Sequence, residues 1–158
     1  MSKLNDIMAE AEAKLALTEL ETSPPALVLT GRVVIAYNEN DLLDVLKGVK
    51  SYPAVGIVYE GMRSMPESGS TMKAGVSAEV MLSFVLIEQG NAIINTNQKK
   101  TRAIDYLDAM RDQFMGKRST VTNHLWHFLV ESPAELKAGM VVWVQRWSLP
   151  VQLPPKRP

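Results

Sequence analysis

The chain has 158 residues, of which 46% are hydrophobic and 22% charged, and it contains no cysteine. That length fits one domain burying about 70% of its unfolded surface, so no disulfide or metal is needed to hold a core. The missing cysteines exclude disulfides, zinc ribbons and thiol catalysis. Seventeen basic residues balance seventeen acidic ones, which argues against a dedicated nucleic-acid binder.

The charge is unevenly placed. Residues 1–22 carry Asp6, Glu10, Glu12, Glu19 and Glu21 against Lys3 and Lys14, whereas residues 137–158 carry Lys137, Arg146, Lys156 and Arg157 and no acid. Ends of opposite sign suit docking between neighbours, although a solvated surface has the same composition. No apolar run approaches the roughly 20 residues of a membrane helix. The opening residues Met1-Ser2-Lys3-Leu4-Asn5-Asp6 turn acidic too early for a signal peptide, so the expectation is a cytosolic protein when made.

Residues 4–20 read as an amphipathic helix, with Leu4, Ile7, Met8, Ala11 and Leu15 on one stripe. Ser23-Pro24-Pro25 ends it, because proline lacks the N–H and clashes with the preceding turn. Residues 26–37 are β-branched and read as a strand interrupted at Gly31. Asn38-Glu39-Asn40-Asp41 offers two good helix caps for a short helix over 41–49, and Ala54-Val55-Gly56-Ile57-Val58-Tyr59 is a short buried strand.

Residues 61–75 have no period and read as a long mobile loop, a feature that in compact domains is usually functional or disordered. The clearest strand follows. Val76, Ala78, Val80, Leu82, Phe84 and Leu86 alternate with a second face that is polar first and apolar later, so its far end is expected to be buried on both sides. Residues 91–97 read as a turn. A second long helix spans 98–115, with Ala103, Ile104, Leu107, Met110 and Phe114 on one face and Gly116 as its stop. Strands are expected over 124–131 and 140–149, joined by a connection at 132–139.

The expected fold is therefore α+β: a largely antiparallel or mixed sheet of four to five strands, with two long helices and one short helix packed mainly on one face. Residues 1–150 form a single domain, and 151–158 form an extended, proline-rich tail.

Catalytic signatures are missing. There is no phosphate loop, no dinucleotide fingerprint and no nucleophile elbow. His124, His127 and Glu131 would share a face on a helix, but their segment alternates as a strand, which sends the two rings to opposite faces. Asp105 and Asp108 imitate a carboxylate pair, yet one helical turn from Arg102 and Arg111 they are better read as solvating partners.

The residues left over suit assembly. Met62, Met65 and Met72, with Arg63 and Lys73 among them, place flexible apolar side chains in the loop, as surfaces that bury against partners do. Lys117 and Arg118 extend a basic cluster, and Lys156 and Arg157 charge the tail. Trp143 and Trp147 fit a core, although tryptophan is also favoured at interfaces, and Trp147 is kept as a candidate contact.

Ser51-Tyr52-Pro53-Ala54-Val55-Gly56-Ile57-Val58-Tyr59-Glu60-Gly61 is a proline-led short strand ending in an aromatic residue and glycine, after an acid-rich short helix. Downstream come a long strand, Lys100-Thr101-Arg102 opening a helix, Trp126-His127-Phe128, and a closing Trp143-Val144-Gln145-Arg146-Trp147. In this order the chain resembles the Mu-type tail family of bacteriophages and the tail terminator proteins of long-tailed phages. The resemblance spans most of residues 4–150 and rests on the order of weak motifs. It implies a non-enzymatic virion protein with no cofactor. Such a protein closes a homohexameric ring on the tail tube protein, meets the neck or connector protein, and in a contractile tail also meets the sheath. DNA would only pass through the ring lumen. The alternatives are another tail or neck component (a tail-completion, connector or tube protein) and a small non-phage binding domain.

Overall fold

The computed structural model describes residues 3–48, 52–65, 76–89, 102–135 and 140–153. The order is α1 (Lys3–Ala16), β1 (Glu19–Leu20), β2 (Ala26–Leu27), β3 (Val33–Ala36), α2 (Glu39–Leu46), β4 (Ala54–Ser64), β5 (Val76–Gln89), α3 (Arg102–Phe114), β6 (His127–Ala134) and β7 (Met140–Leu153). Strands β3-β4-β5-β7-β6 make a mixed five-stranded sheet, and β1-β2 make a separate antiparallel ribbon. Among the described strands only the β3–β4 pair is parallel, joined across α2. This is the expected α+β arrangement.

The two long helices lie on one face of the sheet. From α1, Ile7, Met8, Ala11 and Leu15 are buried; from α3, Tyr106, Leu107, Met110 and Phe114. They meet Val55 and Ile57 of β4, Val80, Leu82, Phe84 and Leu86 of β5, and Trp147, Leu149 and Val151 of β7. Burying each large aliphatic side chain contributes about 1.5–3 kcal/mol. The expected stripe of α1 is the buried one. On α3, Ile104 is 56% exposed and Tyr106 takes its place. Positions 103, 106, 107, 110 and 114 form one narrow face, and 104 lies outside it, beside the polar side.

The short helix α2 covers the opposite face at one end. Its Leu42 packs with Ala36, Ala54, Val58, Val85, Ile87 and Val142. The far end of β5 is thus buried on both sides, as its apolar second face predicts. Asn38 caps α2, its side-chain oxygen accepting from the Asp41 N–H at 2.8 Å. The Asp41 carboxylate in turn accepts from the Tyr37 N–H at 2.9 Å. Leu42 sits against Gly56 so closely that a Cβ there would lie 2.1 Å from its Cδ1.

Several boundaries differ from the sequence-based expectations. The first helix stops at Ala16, not at residue 20. The Thr30 hydroxyl donates to the Ala16 carbonyl at 2.9 Å, and Glu19–Leu20 pair with β2. The segment 26–37 is two strands in two sheets, because the turn at Gly31 (φ 74°) redirects the chain after Leu29.

β4 runs on to Ser64, so the loop expected from residue 61 begins later. After a bulge between Tyr59 and Gly61 the ladder resumes with Gly61 opposite Met81 and Ser64 opposite Ala78. Gly61 has φ 110°, which a side chain would strain. The strand expected at 124–131 is His127–Ala134, with a register shift between Phe128 and Val130. The strand expected to end at 149 continues to Leu153, so the first residues assigned to the tail are strand. Pro150 is tolerated because it lies beyond Ser148, the last residue of β7 opposite β6. The turn at 91–97, positions 98–101 and the rest of the tail lie outside the described residues.

Candidate functional site

Among the described residues, those expected to make assembly contacts do not converge. Met62 lies in β4 opposite Val80 and is 37% exposed. Arg63 pairs with Glu79 at 2.7 Å across the β4–β5 ladder. The Met65 N–H donates to the Ser77 carbonyl at 2.9 Å, closing that end of the hairpin. Lys117 and Arg118 are exposed in the connection after α3. There the Lys117 carbonyl accepts from the Trp126 N–H at 3.1 Å. The Arg118 guanidinium donates to the Asn123 carbonyl at 3.0 Å. Met72, Lys73, Lys156 and Arg157 lie outside the described residues.

Trp147 is not a surface contact. It is 0% exposed and packs against Phe114, Phe128 and Phe84 at centroid distances of 5.4, 5.3 and 6.2 Å. Its indole N–H donates to Gln145 Oε1 at 3.3 Å. Interface enrichment of tryptophan misleads here because alternation along β7 puts position 147 on the helix-covered face.

Gln145 opens a polar bridge that sequence reasoning missed. It is fully buried. Its Nε2 donates to the Leu107 carbonyl at 2.9 Å and to Glu131 Oε1 at 2.8 Å. Arg111 of α3 then bonds both Glu131 and Asp108. The bridge ties α3 to β6 and β7, and each buried polar group in it finds a partner, as burial demands. Glu131 is therefore committed to Arg111 and Gln145. His127 is exposed on β6, and His124 stands in the preceding turn. Among the described residues no three metal-binding side chains cluster.

Beside this bridge is an open cleft of about 380 Å³ between the β1 ribbon and α3. Glu19, Leu20, Glu21 and Thr22 line it from one side, and Asp105, Asp108 and Asp112 from the other. Arg111 is the single cation among its described lining residues and already serves Asp108 and Glu131. The cleft is thus a concave negative surface, suited to attract cations or basic side chains. The sequence showed Asp105 and Asp108 one helical turn apart as solvating side chains, but not that Asp112 joins them at a cleft. Nor did it show that Glu19 and Glu21 face them.

Among the described residues, β3 and β6 are the edges of the sheet. Large apolar side chains are exposed at both: Tyr37 at 75% directly after β3, and Leu129 at 42% and Val130 at 43% on β6. Leu125, just before β6, is 38% exposed. The bulge before Val130 is what puts Val130 opposite Arg146, on the face away from Phe128 and Trp147. Simple alternation would have kept it beside Phe128.

No helix among the described residues is long and apolar enough to cross a membrane. In comparisons with known protein families and with curated proteins the chain finds no match.

Proposed function

We propose that this chain is a virion assembly protein of the tail-terminator type, which associates with copies of itself into a ring that caps the tail tube and joins the tail to the neck. The observation that carries this reading is the set of large apolar side chains left exposed outside the buried core. Leu17, Leu27, Tyr37, Ile104, Met115, Leu125, Leu129 and Val130 are all at least 38% exposed. Single exposed apolar residues are ordinary, but a concentration of them at sheet edges and beside β6 marks surfaces that bury against a partner.

The resemblance of the element order to phage tail proteins supplies the particular role. In this reading the partners are sister subunits in a hexamer, the tail tube protein, the neck or connector protein and, in a contractile tail, the sheath. The 14-residue ladder between β5 and β7 is a stiff spine for such a ring. No cofactor takes part, and DNA passes only through the lumen.

Mass photometry of the purified protein tests the self-association: the expected species has about six times the 17.5 kDa of one chain. Tails assembled without the protein should carry tubes of uncontrolled length. Tails of normal length that still join heads would refute the role.

A further inference from the structure

We propose that the ring contact is a strand-to-strand pairing in which β6 of one copy adds to β3 of the next, running the sheet from subunit to subunit. The proposal rests on the ring reading above and names the surfaces that make it.

The starting point is backbone accounting. A strand at a sheet edge has a row of N–H and C=O groups that another extended chain can satisfy. Among the described residues, β3 pairs only with β4, and β6 only with β7. Among the described residues, none of the backbone bonds made outside the ladders uses residues 33–36 or 127–134.

Edges that face water are normally guarded by lysine, proline or a bulge. β3 is short, at four residues, but carries no lysine, proline or bulge: it is Val33-Val34-Ile35-Ala36, apolar throughout, and its first three residues are partly exposed. β6 is guarded only in part. It has a bulge between Phe128 and Val130, and Pro133 near its end, but no lysine. Leu129 and Val130, with Glu131 after them, lie between those two guards.

Strand direction makes the two edges complementary. β3 is parallel to β4, and the β4–β5, β5–β7 and β7–β6 pairs are each antiparallel. Across the whole sheet, β3 and β6 therefore point in opposite directions. Two copies set side by side with their sheets aligned bring β6 and β3 together as an antiparallel pair, the more stable kind of ladder. Apolar side chains stand at both edges to cover the new seam: Leu129 and Val130 on one, Tyr37 on the other. Each copy has one edge of each type, so the contact is head-to-tail, and repeating it produces a closed ring or an open filament.

The chain has no cysteine, so introduced thiols report only on each other. Single variants on β6 (Leu129→Cys, Val130→Cys or Glu131→Cys) are mixed with size-tagged single variants on β3 (Val33→Cys, Val34→Cys or Ile35→Cys) and oxidised. Disulfides need Cβ atoms about 3.5–4.5 Å apart, so only in-register pairs on the same face should form mixed dimers. Leu27→Cys, exposed on the ribbon, should form none.

The double variant Leu129→Lys/Val130→Lys changes only half-exposed positions. It should keep its circular dichroism spectrum while its assembled fraction falls at least tenfold. Disulfides formed mainly between two β6 strands would overturn the proposal in favour of two-fold pairing. A ring by mass photometry with no β6–β3 disulfide would overturn the proposal alone, leaving the ring reading in place. A wild-type chain that stays monomeric at every concentration would overturn both.

Discussion

Replacing Trp147 with alanine separates a core residue from an interface residue. The side chain is fully buried among Phe84, Phe114 and Phe128, and its N–H is bonded to Gln145. A buried tryptophan removes roughly 200 Å² from water, worth about 5 kcal/mol at 25 cal/mol/Å². The alanine Cβ that remains keeps part of that burial, which brings the expected loss to about 4 kcal/mol, within the usual range for such truncations. Against a total stability of about 5–15 kcal/mol, that is a large fraction. With a urea slope of about 2 kcal/mol/M, the unfolding midpoint should fall by about 2 M. The assay is urea titration followed by far-ultraviolet circular dichroism, which does not depend on the deleted indole. Trp147→Phe should cost about half as much, because it keeps most of the packing and loses the donor to Gln145. A Trp147→Ala protein with an unchanged midpoint but impaired self-association would refute the reasoning and return Trp147 to the surface.

Gly56→Val should destabilise by about 1–3 kcal/mol in the same titration, since any Cβ meets Leu42 Cδ1 and the second core cluster has to shift. Asn38→Ala should cost about 1 kcal/mol by removing the acceptor for the Asp41 N–H, while Asn38→Ser should restore most of it. Arg63→Ala should change stability by less than about 1 kcal/mol, because its partner Glu79 is reached from an arginine that is itself 64% exposed. A larger loss would mean that Arg63 does more than pair across the hairpin.

Much of this architecture was legible as periodicity. The stripe Ile7, Met8, Ala11 and Leu15, and the alternation from Val80 to Leu86, named their buried faces correctly because side-chain direction repeats along a helix or strand whatever it packs against. Errors came where a distant segment decides the outcome. β4 continues past Tyr59 because β5 offers partners for residues 61–64. α1 ends at Ala16 because Thr30 and the β2 segment capture the chain there. Val130 changes face because of one extra residue in β6. The candidate site was harder still. Asp105 and Asp108 were visible as neighbours one helical turn apart, but the meeting of the α3 acids with Glu19 and Glu21, and the burial of Gln145 between Leu107 and Glu131, join residues far apart in the chain.

The sequence by itself determined the class of the fold, the apolar faces of its long elements and the absence of cysteine chemistry. These follow from local period and composition. Tertiary structure alone decided which strands are neighbours, where they stop, that α2 lies opposite the other helices, and which edges stay open. The reason is that backbone N–H and C=O groups take whatever partner the fold brings near, and no local pattern specifies that partner.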